Sequence, residues 1–217
     1  QYTSKLQYMK SRRDRKTIYE NVPVFDIVNL RKALLKYDES SRRAVLKFTP
    51  DIEHVLKNYA QYIQPLKRSG IKVCLSIEGG GTGIGFAHLT DVQIADFVAQ
   101  VQVAVKMYQL DGIHLRDEGA GYDKTGAPEL DETSYPKLVK ALREAMPDIM
   151  LTLADDGGTT AMMDKEQGGI VVGDYIDLAW NVVWDTAVNP WASGSERKPI
   201  AGVTKERYGG ISFYIKP

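Results

Sequence analysis

The chain has 217 residues, 43% of them hydrophobic and 26% charged, with 28 basic side chains against 28 acidic ones. That length supports one large domain over residues 1–217 with its own core, and zero net charge leaves no electrostatic footprint for a nucleic-acid partner. No apolar stretch is long enough to span a bilayer. Cys74 is the single cysteine and sits in an apolar run, so an intrachain disulfide is impossible and the side chain reads as a small buried hydrophobe. The first residues carry no signal-peptide pattern, which a mature exported chain would have lost; the basic run 11–16 reads as a solvated loop or a patch for an anionic partner.

Strand-like and helix-like segments alternate from residue 24 onward. Residues 24–30 read as a buried strand and 44–48 as a second. A helix is expected over 50–67, with Ile52, Val55, Leu56, Tyr59, Ile63 and Leu66 at helical spacing, stopped by Gly70. Residues 71–77 form a dense apolar strand that ends at Glu78 and a run of glycines. Thr90 and Gln93 make a capping box for the next helix, whose inner stripe is Ile94, Phe97, Val98, Val101, Val105 and Tyr108. Asp111-Gly112 turns the chain into a strand from Ile113. A helix over 134–145, a strand over 149–154, a polar loop over 155–158, and strands over 175–181 and 210–215 complete the pattern. Such alternation with apolar strands argues a parallel sheet covered by helices, either a closed eight-stranded barrel or an open doubly wound sheet. Residues 182–208 must supply a seventh strand and its helix, and little there looks like either.

The glycine run from Gly79 to Gly85 fails both nucleotide fingerprints, because Gly80 and Gly85 are followed by Phe86 where a phosphate loop needs lysine. It reads as a close-approach loop bordering a cleft. His54, His88 and His114 have no paired metal spacing, and no serine or cysteine triad motif is present; no metal or organic cofactor is expected. On a regular strand His114, Arg116 and Glu118 share one face. That face carries an imidazole, a guanidinium and a carboxylate. Asp155 and Asp156 are paired carboxylates or a turn, and Trp180, Trp184 and Trp191 either stack on sugar rings or fill the core.

Three stretches resemble glycoside hydrolase family 18, in its endo-β-N-acetylglucosaminidase branch. One runs from Phe48-Thr49-Pro50 to the strand ending at Ile77. The second is Tyr108-Gln109-Leu110-Asp111-Gly112-Ile113-His114-Leu115-Arg116-Asp117-Glu118. The third is Gly173-Asp174-Tyr175-Ile176-Asp177-Leu178-Ala179-Trp180-Asn181 with the closing Tyr208-Gly209-Gly210. The resemblance implies a TIM (β/α)8 barrel, short or irregular around strands 6–8. The family signature Asp-x-x-Asp-x-Asp-x-Glu falls on Asp111, His114, Arg116 and Glu118. The first and last match; the middle aspartates are replaced. In the family the glutamate is the general acid, the substrate's N-acetyl oxygen is the nucleophile, and the aspartate two residues before the glutamate orients the acetamido group and stabilises the oxazolinium.

A general acid needs its proton near working pH, and a neighbouring cation favours its loss. Arginine stays protonated, so Arg116 beside Glu118 opposes both proton delivery and a positive intermediate. Two unit charges ~4 Å apart interact by roughly 4 kcal/mol at an effective dielectric of about 20, on the order of a thousandfold in rate if felt in the transition state. The resemblance therefore implies a pseudoenzyme that binds an N-acetylglucosamine-containing oligosaccharide or N-glycan with impaired or absent hydrolysis, probed by Asp111, His114, Arg116, Asp117, Glu78, Asp155, Trp180, Asn181 and Tyr214. Its counterpart is an active endo-β-N-acetylglucosaminidase with Glu118 as acid and Asp117, Asp155 or Asp156 in the missing role. A scaffold without any sugar site is a third expectation. Export is expected with either of the first two.

Overall fold

The computed structural model describes residues 25–181, 190, 191 and 193–209. The strands are β1 (Ile27–Asp38), β2 (Arg43–Phe48), β3 (Lys72–Gly79), β4 (Gly112–Arg116), β5 (Met150–Asp155), β6 (Leu178–Asn181) and β7 (Tyr208–Gly209), and they lie in the order β2-β1-β3-β4-β5-β6-β7. β1 and β2 form an antiparallel hairpin; every other neighbouring pair is parallel. Helix α4 (Asp91–Met107) connects β3 to β4, and α5 (Ser134–Ala145) connects β4 to β5. Among the described residues, β2 and β7 are the two edges of the sheet.

Alternation divides the sheet into two chemically different faces. Val73, Leu75, Ile77, Ile113, Leu115, Leu151 and Leu153 are buried in one apolar cluster with Phe97, Val101 and Leu138 from the helices. The opposite face carries Cys74, Ser76, Glu78, His114 and Thr152, which are also buried. Ser76, His114 and Thr152 lie side by side in register on three successive strands. A sheet with an apolar outside under helices and a buried polar inside has the layering of a barrel wall.

A repeated device fixes the strand starts. Asp111 Oδ2 accepts from the Val73 N–H at 2.9 Å, and Lys67 Nζ meets Asp111 Oδ1 at 2.9 Å. Two strands later, Asp177 Oδ2 accepts from the Leu151 N–H at 2.7 Å and pairs with Arg143 Nη2 at 2.7 Å. Each aspartate ties its own strand start to the neighbouring strand and is held by a cation from a preceding helix. The edge strand β2 is protected by Gln100 of α4, whose amide accepts from the Leu46 N–H at 3.0 Å and donates to the Ala44 carbonyl at 2.9 Å, which blunts an otherwise open edge.

The structure corrects three sequence expectations. The helix expected over 50–67 is broken into α1 (Pro50–Lys57), α2 (Tyr59–Tyr62) and α3 (Gln64–Arg68). Asn58 Nδ2 donates to the His54 carbonyl at 2.8 Å, and Pro65 has no N–H to continue the ladder. All six predicted apolar positions still face the core, because the pieces keep their angular phase. The first strand runs on to Asp38 and folds back as a hairpin. The strand expected from 175 is shorter, since a 3-10 turn at Val172–Asp174 and the Asp177 contact delay β6 to Leu178. By contrast α4 and α5 match their expected spans, and the Thr90–Gln93 capping box is formed. The strand expected over 210–215 and the basic run 11–16 lie outside the described residues.

Candidate functional site

The site lies at the C-terminal ends of β1, β3 and β4. Polar residues are tolerated inside the sheet there because they satisfy one another. Glu78, at the end of β3, is 2% exposed. Its Oε1 accepts from Arg31 Nε at 2.5 Å, and Lys32 Nζ lies 3.8 Å from Oε2. Arg116, at the end of β4, lies opposite Glu78 in register. There the strand stops: the Glu118 N–H turns back to the Arg116 carbonyl at 2.8 Å, and the Gly79 N–H donates to the Glu118 carbonyl at 2.9 Å. This turn delivers the Glu118 side chain to Arg116. Nε of Arg116 is 2.6 Å from Glu118 Oε2, and Nη2 of Arg31 is 3.7 Å from the same oxygen. Two glutamates and two arginines thus form one charge cluster.

A cavity of about 330 Å³ opens beside this cluster, lined by Arg31, Lys32, Lys36, Glu78, Glu118 and the first glycines of the 79–85 run. The glycines are needed for close approach. A side chain at Gly79 would meet the Ala120 backbone nitrogen at 2.3 Å, and one at Gly80 would meet the Leu35 carbonyl oxygen at 2.5 Å. The glycine loop is therefore pressed between β1 and the segment after β4, and it borders the cavity as the sequence suggests. Glu118 itself is 53% exposed at its side chain, so the Arg116–Glu118 pair is not a buried plug in the barrel.

The other expected site residues fall in different places. His114 is one layer below Arg116, its Nδ1 at 2.9 Å from the Thr152 hydroxyl. Burial first, then the charges of Arg116 and Arg31, push its pKa down to about 3; it is neutral at pH 7. Asp111 lies at the opposite end of β4 and ties strands together. Asp117 points away from the cavity: its carboxylate accepts from the Tyr122 hydroxyl at 2.5 Å, the Thr159 hydroxyl at 2.6 Å and the Phe86 N–H at 3.4 Å. Burial raises its pKa despite these donors. Asp155 is fully buried and held by Thr160 at 2.7 Å, Tyr208 at 3.1 Å and Arg197. Trp180 sits on the polar inner side of the sheet, in register with Ala154 and Gly209, whereas Asn181 pairs with Asp155. Trp191 packs edge-on against Tyr208 at 5.6 Å. Tyr214 and Trp184 lie outside the described residues.

Sequence reasoning missed Arg31, Lys32 and Lys36. The available signal was a set of basic residues interrupting an apolar strand, but their meeting with Glu78 joins positions 47 residues apart. It also left Asp156 open. Asp156 follows the end of β5; burial chiefly, with a smaller push from Asp155, raises its pKa, while Arg116 acts in the opposite direction.

His114 sets a pH test. Between about pH 3 and 6.5 the unfolded chain binds a proton there and the folded chain does not, so folding stability falls as pH drops through that window. The slope approaches about 1.4 kcal/mol per pH unit. Asp117 and Asp156 act with the opposite sign, because a raised carboxyl pKa means that the folded state keeps the proton more firmly. Comparison with His114→Gln cancels them. Urea unfolding at neutral and acid pH is expected to show the variant losing less stability on acidification; a constant gap at every pH would refute a buried neutral imidazole.

Residues 7–210 match the family described as glycosyl hydrolases family 18. The chain belongs to glycosyl hydrolase family 18. Its fold is the family's (β/α)8 barrel, of which the described strands form an arc. Among relatives, it is 32% identical over 178 residues to an endo-beta-N-acetylglucosaminidase of Flavobacterium sp. (strain SK1022), covering 82% of this chain and 55% of that protein. It is 29% identical over 160 residues to endo-beta-N-acetylglucosaminidase F1 of Elizabethkingia meningoseptica, covering 72% and 47%. The chain thus spans about half the length of these curated relatives. Bacteroides thetaiotamicron EndoBT-3987, solved with a Man5GlcNAc product, superposes with a TM-score of 0.67 at 28% identity, over 84% of this chain and 40% of that one. The chitinase domain of the Clostridium difficile spore coat protein CotE, at 22% identity and a TM-score of 0.59 over 88% and 61%, shares the barrel fold.

Proposed function

We propose that this chain is a glycan-binding protein on a family 18 barrel, one that recognises N-acetylglucosamine-containing glycans with impaired or absent hydrolysis. The observation that carries the reading is the 2.6 Å contact of Arg116 Nε with Glu118 Oε2. Glu118 is the carboxylate that the family resemblance makes the general acid, and here it is occupied as an ion-pair acceptor. To deliver a proton it must first take one up, at the expense of that ion pair. Arg31, at 3.7 Å from the same oxygen, adds a second cation where an oxazolinium would develop. The fixed positive charge disfavours both halves of substrate-assisted hydrolysis.

Binding does not need that proton. The cavity is open, and guanidinium groups are suited to hydroxyl and acetamido oxygens. The relatives supply the ligand class: EndoBT-3987 was solved with Man5GlcNAc and with Man9GlcNAc2Asn. Display of the protein outside the cell, where such glycans are met, belongs to the same proposal.

Calorimetric titration with N-glycans and chitin oligosaccharides, followed by mass spectrometry of the sugars, tests it. The expected result is saturable binding with the glycans recovered intact. Absence of binding across the panel removes the proposal. Turnover that disappears in Glu118→Gln establishes instead an active endoglycosidase with Glu118 as acid.

A further inference from the structure

Among the described residues the cavity lining carries more positive than negative charge, in a chain whose total is zero. Arg31, Lys32 and Lys36 line it against Glu78 and Glu118. Arg116 reaches Glu118 from below, and Lys124 sits on the carbonyl of Gly81 in the cavity wall. The two glutamates are already engaged: Glu78 by Arg31 and Lys32, Glu118 by Arg116 and Arg31. Among the described residues Lys36, on β1, joins none of these ion pairs.

Lys36 is the informative member. A side chain on Gly80 would meet Lys36 Cγ at 2.4 Å, so the lysine stem lies directly across that glycine, along the cavity wall. Such a stem packs on the wall while its ammonium reaches the opening. A neutral sugar has no use for this excess charge. An oxyanion does, because charge-assisted hydrogen bonds to it are stronger than neutral ones and are strengthened in a partly enclosed site.

We propose that the cavity beside Glu78 and Glu118 takes an acidic substituent of the glycan, a carboxylate or a sulfate ester, held by Lys36, Lys32 and Arg31. This rests on the glycan-binding reading and names its ligand class: an anionic rather than a neutral glycan. No bond is made or broken.

The test is titration of the intact chain with one N-glycan core in three forms, namely neutral, sialylated, and sulfated on N-acetylglucosamine, with inorganic sulfate alone as a fourth ligand. At low salt the acidic glycans are expected to bind about tenfold more tightly than the neutral one, the worth of one charge-assisted hydrogen bond. The preference is expected to shrink in high salt and to be lost in Lys36→Glu, with Lys36→Gln intermediate. Which acidic form binds identifies the oxyanion. Equal affinity for neutral and acidic forms overturns the inference and leaves glycan binding standing. A preference that survives Lys36→Glu, or inorganic sulfate binding as tightly as the acidic glycans, also overturns it. Binding of none of the glycans removes the underlying reading itself.

Discussion

Changing His114 and Arg116 together to aspartate is expected to create endoglycosidase activity, on the order of a thousandfold above the starting chain. The substitution withdraws the guanidinium 2.6 Å from Glu118 Oε2 and places a carboxylate at each position where the family signature has one. Like-charged neighbours favour protonation of one another, so the new pair pushes Glu118 toward the acid form that proton delivery needs. An aspartate at 116 also attracts the positive intermediate that arginine repels. The structure makes room for the deeper change as well: the Thr152 hydroxyl that now contacts His114 can donate to a carboxylate. Arg31 remains 3.7 Å from Glu118 and sets the ceiling on the gain. Removing it would strand Glu78, which is 2% exposed and has Arg31 as its shortest contact. Product analysis by mass spectrometry reads the outcome, with Glu118→Gln added as a third change expected to abolish the gain. A correctly folded double variant without any turnover shows that the cleft lacks more than charge.

The second large effect is on stability. Asp155→Ala is expected to cost about 3–5 kcal/mol, the typical penalty for removing one partner of a buried ion pair. Asp155 is fully buried and Arg197 is 10% exposed at its side chain. Loss of the carboxylate leaves that guanidinium uncompensated and deprives the Thr160 and Tyr208 hydroxyls of their acceptor. Burial and the adjacent Asp155 charge together raise the pKa of Tyr208, so the phenol stays a donor at neutral pH. The cluster ties the end of β5 to β7 and to the segment before it, so it locks together elements that carry little apolar packing of their own. For a chain of this length the melting temperature is expected to fall by roughly 10 °C. Asp155→Asn, which keeps an acceptor, is expected to lose less. Adding Arg197→Met to Asp155→Ala is expected to recover part of the loss, because no charge is then left unpaired. Equal losses for the alanine and asparagine variants would show that the charge, not the neutral acceptor, carries the effect; an asparagine variant as stable as the parent would show that the charge contributes nothing.

The carboxylates of the 111–118 segment show how far a motif can be read. Three lie close in sequence, yet Asp111 fastens strand starts, Asp117 fastens loops through Tyr122 and Thr159, and Glu118 alone of them faces the cavity. Strand alternation predicts that Glu118 follows Arg116 on the same face. The structure reaches that juxtaposition through a turn after Arg116. The expected pair is therefore present for a different geometric reason, and one carboxylate is exposed where a regular strand gives no guidance.

What the sequence determined alone was local. The spans of α4 and α5, the capping box at Thr90 and Gln93, and the apolar faces of the helices and strands follow from spacing and hydrogen-bonding capacity within one segment. The departure of His114 and Arg116 from the aspartates of the family signature was equally visible. Tertiary structure decided the rest. It broke the helix at Asn58, doubled β1 back on β2, brought Arg31 onto Glu78, and turned Asp117 and Asp155 outward into buried anchors. The Arg31–Glu78, Asp117–Thr159 and Asp155–Arg197 contacts join groups 42 to 47 residues apart, whereas the break at Asn58 rests on a local contact with His54 that apolar spacing does not register. A periodic pattern records which face is apolar, but a charged side chain acquires its role from whichever distant group comes to lie a few ångströms away.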